Sequence, residues 1–86
     1  MNNLEKILKA VANKRRIAII KYLALNKEAS VSDISTIIKL SFKATSKHLG
    51  VLYAADIVEK EQRSLQMFYR LASTHPVIKY ISDSRE

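Results

Sequence analysis

The stretch Leu40 to Asp56, LSFKATSKHLGVLYAAD, restricts the fold more than any other part of the chain. A serine hydroxyl at position 41 can accept a hydrogen bond from a backbone N–H that the first helical turn leaves without a partner, so Ser41 is expected to cap a helix beginning at Phe42. Thr45, Leu49, Leu52 and Tyr53 then recur at three- and four-residue steps and form one stripe that must face a core. The opposite side carries Lys43, Ser46, Lys47 and Gly50, with no carboxylate among them. Such a face suits phosphates and base edges. An ordinary solvated face is the alternative, and the sequence on either side decides between the two. Gly50 costs about 1 kcal/mol against Ala in mid-helix, so it either admits a close neighbour or is simply tolerated.

Eighty-six residues, 48% of them hydrophobic, with one Gly and one Pro, describe one small helix-rich domain spanning 1–86. The formal charge of +7 calls for an anionic partner, either nucleic acid or an acidic membrane surface. Without cysteine, disulfides and thiolate metal sites are excluded. Glu5, Lys6 and Lys9 break up the apolar residues of the N-terminal segment, which is therefore expected to be neither a signal peptide nor a membrane span. The expected location is the cytoplasm.

In chain order, Leu4, Ile7, Leu8 and Val11 fall at i, i+3, i+4 and i+7 and predict a first helix. Asn13 can cap a second, Lys14 to about Leu25, with Ile17, Ile20, Leu23 and Tyr22 on its inner side. Lys14, Arg15 and Arg16 load its first turn with positive charge where the helix dipole is already positive. That placement answers either to an outside anion such as phosphate or to snorkelling surface residues. Ser30 and Val31 are expected to be briefly extended. Ser32 and Asp33 then open a third helix running to about Lys39, with Ile34, Ile37 and Ile38 inside. Two short helices joined by a tight turn, about residues 32–55, make a helix-turn-helix. After Asp56 the period changes to two: Ile57 to Glu61 and Met67 to Leu71 predict a β-hairpin, a wing over about 57–72, around the loop Gln62 to Gln66. With no Asn-Gly or Asp-Gly pair, a loop longer than two residues is expected. Ser73 or Thr74 can cap a last helix, with Pro76 in its first turn and Val77, Ile78 and Ile81 on one face.

The fold class is thus mainly α with a small β-hairpin, and the order of elements resembles the winged helix-turn-helix regulators of the ArsR family. The residues that carry the resemblance are Ala12 to Ile20, Val31-Ser32-Asp33-Ile34, Leu40-Ser41, Ser46-Lys47-His48-Leu49-Gly50-Val51-Leu52, Ile57-Val58 and Phe68-Tyr69-Arg70-Leu71. The resemblance implies a homodimer with N- and C-terminal dimerisation helices. It also implies recognition helices in successive major grooves and wings near the backbone or minor groove. Asp56 stands where the family usually has the Gly that ends the recognition helix in a left-handed conformation, and the wing tip has no Gly. Metal-sensing members carry a cysteine pair near the third helix or acids and histidines on the last. Here Val31 to Ser35 offers no thiolate, and His75 and Asp83 are far apart in sequence, so neither metal nor cofactor is expected.

The expected function is sequence-specific binding of double-stranded DNA by a homodimeric transcriptional regulator, with repression as the outcome. Lys14, Arg16, Lys39 and Arg63 are expected at phosphates, Gln66 beside Arg63 within reach of the duplex, and Ser41 at the start of the reading helix. Lys43, Ser46 and Lys47 approach base edges, and Ala44 a thymine methyl. Leu4, Ile7, Leu8, Val77, Ile78 and Ile81 are expected either to pair across a two-fold axis or to complete the monomer core. His48 reads as a residue that positions its helix, and His75 as solvated. No nucleophile with an orienting base is present, so no catalytic residue is assigned and no enzyme is expected. A winged-helix protein–protein interaction module is the rival reading. No residue pattern identifies an effector.

Overall fold

The computed structural model describes residues 4–85. Its elements follow the order α1 (Leu4–Val11), α2 (Lys14–Leu25), β1 (Ala29–Ser30), α3 (Val31–Ile38), α4 (Phe42–Ala54), β2 (Val58–Arg63), β3 (Gln66–Leu71) and α5 (Pro76–Asp83). The expected fold, mostly helical with a hairpin wing, is what forms. The sheet has one more strand than the hairpin alone: its antiparallel order is β1-β3-β2, with Ala29 opposite Tyr69 and Ser30 opposite Phe68.

Helices α2 to α5 each start where a side chain accepts a free first-turn N–H group. Asn13 Oδ1 accepts from the backbone of Arg15 at 2.9 Å and Arg16 at 3.1 Å, as expected. The cap of α3 is Ser30 and not Ser32: Ser30 Oγ accepts from Asp33 N at 3.1 Å while the Asp33 carboxylate accepts from Ser30 N. This reciprocal pair starts α3 two residues earlier than the position of Asp33 alone suggested. At α5 the cap is His75, whose Nδ1 accepts from Val77 N at 3.1 Å. Ser73 Oγ in turn accepts from His75 N. His75 is thus a half-buried structural residue and not a solvated one.

The core draws on every element. Ile19, Ile20, Ile34, Leu49, Leu52, Ile57 and Ile78 are the fully buried aliphatic side chains among the described residues. Three expectations shift here. Ile19 replaces Ile17 as a fully buried residue of α2, Val31 joins the core of α3, and Ile37 is exposed. The six residues expected at a dimer interface also divide. Ile7, Ile78 and Ile81 are buried within the single chain, Val77 is half-buried, and Leu4 and Leu8 stay exposed at 41% and 47%.

Among the described residues, three corners adopt left-handed backbone without glycine: Lys39 at φ 59°, Asp56 at φ 60° and Ser64 at φ 56°. At Asp56 the corner closes α4 through Asp56 N to Tyr53 O and Ile57 N to Leu52 O, both 3.0 Å. This is the double hydrogen bond of a left-handed helix end, with Leu52 and Ile57 both buried beneath it. At Ser64 the corner lets the hairpin close with Arg63 paired to Gln66, so the loop is the two residues Ser64 and Leu65 and not a longer one. The absence of Asn-Gly misled because a serine takes the positive φ.

Candidate nucleic-acid interface

The reading helix α4 is held by the apolar stripe expected of it. Thr45, Leu49 and Leu52 are fully buried, while Tyr53 lies at the stripe's edge, exposed, with Lys60 Nζ 4.2 Å from its ring centre. Ser41 Oγ accepts from Ala44 N at 3.1 Å and fixes the first turn. With that side pinned, Lys43, Lys47 and Gly50 are exposed, and Ala44 and Ser46 are half-buried at the margins. A Cβ at Gly50 would meet nothing within 4 Å. The chain's own packing therefore places no demand for glycine there.

The three cations opening α2 do not act alike. Lys14 is exposed. Arg15 Nη1 donates to the Ile38 carbonyl at 2.7 Å, satisfying an orphan acceptor at the C-terminus of α3. Arg16 donates from Nε to the Ala10 carbonyl at the end of α1, and its Nη1 lies 3.2 Å from His48 Nδ1 on α4. The two arginines thus tie α1, α3 and α4 to the first turn of α2. Arg16, expected at phosphate, is half-buried and engaged inside the protein.

His48 is the receiving end of that tie. Burial, then the neighbouring Arg16 and Arg15 charges, lower its pKa below the usual histidine value of 6.5. A neutral ring whose Nδ1 accepts from Arg16 carries its proton on Nε2. His48 therefore positions α4, in keeping with the sequence.

In the wing, alternate residues share a face. Val58, Met67, Tyr69 and Leu71 turn toward the core, whereas Glu59, Glu61, Arg63, Phe68 and Arg70 occupy the other side. There Arg63 donates to both oxygens of Glu28, from the loop after α2, and to Glu61 at 3.0 Å. Its guanidinium also stacks 4.6 Å from the centre of the Phe68 ring. Arg70 bridges to Glu59 and Glu61, each at 3.4 Å. The hydrogen bonds from Arg63 hold the Glu28 and Glu61 carboxyls below their ordinary pKa, and those carboxylates hold the Arg63 guanidinium above its own. Sequence reasoning missed Glu28 altogether, since it lies 35 positions from its partner. Gln66 is exposed beside the turn.

Among the described residues, no group of three or more His, Cys, Asp or Glu side chains is placed to hold a metal ion, and no helix is long and apolar enough to cross a membrane. The arrangement offers a basic helix face and a flanking hairpin.

The profile of the family described as "Bacterial regulatory protein, arsR family" matches residues 13–60. The transcriptional activator HlyU of Vibrio cholerae is 40% identical over 68 residues, which are 79% of this chain and 62% of that protein. A solved structure of Vibrio cholerae HlyU superposes with TM-score 0.82 at 37% identity, covering 92% of this chain and 84% of that one. A structure titled as the homodimeric winged helix-turn-helix DNA-binding domain of Mb0332 from Mycobacterium bovis, a possible ArsR-family regulator, gives TM-score 0.82 at 28% identity over 93% of this chain and 72% of that one. The transcriptional repressor PagR of Bacillus anthracis shares the fold, with TM-score 0.79 at 24% identity over 92% of this chain and 88% of that one.

Proposed function

Since the chain belongs to the arsR family of bacterial regulatory proteins, we propose that it binds double-stranded DNA sequence-specifically as a homodimer and regulates transcription. The observation that carries this reading is the outward face of α4. Lys43, Lys47 and Gly50 stand clear of the protein on a helix whose opposite side is fully buried, and no acidic side chain shares that face. Lys43, Ser46 and Lys47 would meet base edges in the major groove, with Ala44 and Ser41 at the margin of the contact. Lys14 and Lys39, both exposed, would meet phosphates. Arg16 would support α4 from behind through His48, and Arg63 would reach a phosphate only by leaving Glu28. Gln66 at the wing turn is free to face the duplex.

Support for the dimer is partly geometric. Leu4 and Leu8 on α1, and Tyr80 with half-buried Val77 on α5, remain uncovered after the core is complete. Pairing such faces about a two-fold axis would set two recognition helices roughly 34 Å apart, one turn of DNA. The similar Mycobacterium bovis domain is described as homodimeric, which agrees. Repression is the simpler outcome, because a bound dimer blocks a promoter without any further contact. The similar proteins include a transcriptional activator and a transcriptional repressor, so a promoter–reporter assay decides. The site of action would be the cytoplasm, where bacterial DNA lies.

The decisive experiment is duplex binding across a salt series. The plot of log affinity against log salt should fall steeply, and Lys43→Ala or Lys47→Ala should each flatten the slope by about one per protomer. Lys47→Ala should also relax sequence preference. A salt-independent affinity, or competition by an acidic protein but not by random duplex, would overturn the reading in favour of a protein-docking module.

A further inference from the structure

The first residue of the recognition helix is an exposed aromatic that the reading above leaves without a role. Phe42 is 60% exposed although it opens α4, directly beside Ser41 and Lys43. At 100° per residue it falls about 20° from Leu49 and about 40° from Ser46 around the helix, at the edge of the buried stripe, and it stays exposed because it stands at the helix start, beyond the packed turns. That edge looks toward the wing: Phe42 lines a narrow cleft with Ser30, Val31, Leu65, Gln66 and Met67. Leu65, at the tip of the turn, is 96% exposed.

An apolar ring in this place has a definite complement in a DNA groove. The N-terminal residues of a recognition helix approach base edges most closely. The only apolar group that a base edge presents in the major groove is the 5-methyl of thymine. Lysine side chains at 43 and 47 can contact guanine edges or phosphates but cannot read that methyl. Ala44 is half-buried on the far flank of the helix, so it addresses a different base from any that Phe42 reaches. We propose that Phe42 is a specificity-determining residue that packs against the 5-methyl of a thymine at the wing-side edge of each half-site. This rests on the DNA-binding reading and extends it from the polar contacts to an apolar one.

The test begins with selection of bound sequences from a random duplex pool by the wild-type protein. Each thymine of the selected site is then replaced singly by deoxyuridine, which keeps every Watson–Crick group and loses only the methyl. The wild type should lose about fourfold in affinity at one thymine per half-site, the worth of one buried methyl-sized group. Phe42→Ala should bind the thymine and deoxyuridine duplexes equally there while retaining the wild-type salt slope. Its melting temperature should stay close to that of the wild type, because the ring is mostly exposed. Phe42→Leu, still apolar, should keep part of the discrimination. If no thymine is sensitive, or if Phe42→Ala is as sensitive as the wild type, the proposal is overturned while the salt slope continues to support DNA binding. Loss of all salt-dependent duplex binding by the wild type would instead overturn both.

Discussion

Two sets of cations in this small basic protein behave in opposite ways. The guanidinium groups of Arg15, Arg16, Arg63 and Arg70 each find acceptors within the chain: two helix-terminal carbonyls, a histidine ring and three glutamates. The ammonium groups of Lys14, Lys43 and Lys47 stand exposed around the reading helix. The difference follows from shape. A planar fork with five N–H donors can satisfy fixed carbonyl and carboxylate oxygens in several directions at once, whereas an ammonium on a flexible stem is a mobile point charge. Net charge alone therefore overstates what is available to a polyanion. Arg15 and Arg16 tie the helices around α4, Arg63 and Arg70 are held by wing and loop glutamates, and the exposed lysines are the cations proposed for DNA.

The largest expected effect breaks this comparison if it fails. Arg16→Lys preserves charge but not the fork, so it should lower stability by roughly 2 kcal/mol, the worth of a hydrogen bond to a charged group. Chemical denaturation would report the loss as an earlier midpoint. Duplex affinity of the folded fraction should change little, and an unshifted midpoint with weakened binding would return Arg16 to the phosphate-contacting set.

Next in size is Gly50→Ala. With nothing within 4 Å of the added Cβ, the substitution should stabilise the fold by about 1 kcal/mol through helix propensity. If Gly50 is there to let the duplex come close, the same variant should bind DNA less tightly, which calorimetry and titration together would show. Stabilisation with unaltered affinity would mean that the glycine is merely tolerated.

The smallest effect concerns pH. His48 has a folded-state pKa lowered by burial and then by Arg16 and Arg15, so the unfolded chain takes up a proton more readily than the folded one. Stability is then full above the ordinary histidine value of 6.5 and declines as pH falls from there through the lowered folded value. His48→Gln should remove that decline, seen as converging melting temperatures of variant and wild type at acidic pH. A wild-type melting temperature that stays flat from pH 7 to about 5 would contradict a neutral His48 held partly buried beside Arg16.

How much of this could be read from the chain depends on whether the controlling contacts are local. The α4 stripe was legible because Thr45, Leu49 and Leu52 repeat at helical spacing, and Asn13 and Ser41 were legible as caps because their acceptors lie two or three residues away. In α2 the run Ile17-Ala18-Ile19-Ile20 is apolar at every position, so periodicity could not select Ile19, and only packing against the neighbouring helices does so. The spacing Ser30-Val31-Ser32-Asp33 did contain the signal for the observed cap, a hydroxyl three residues ahead of an acid, alongside the competing Ser32. The destinations of Arg15 and Arg63 lie 23 and 35 positions away and leave no local trace. As for the site, the lysines of α4 were legible as an outward face. Phe42 was seen only as the start of a helix, because its exposure depends on where the wing lies.

The non-glycine corners at Asp56 and Ser64 bear on how such a regulator could be toughened. Each holds an L-residue in backbone that disfavours a Cβ, a local strain repaid by the hydrogen bonds around it. The Asp56 corner closes the far end of α4 from Ser41, Phe42 and Lys43, so relieving it with the achiral residue would harden the scaffold against heat, whereas the same change at Ser64 would also loosen a turn that borders Phe42.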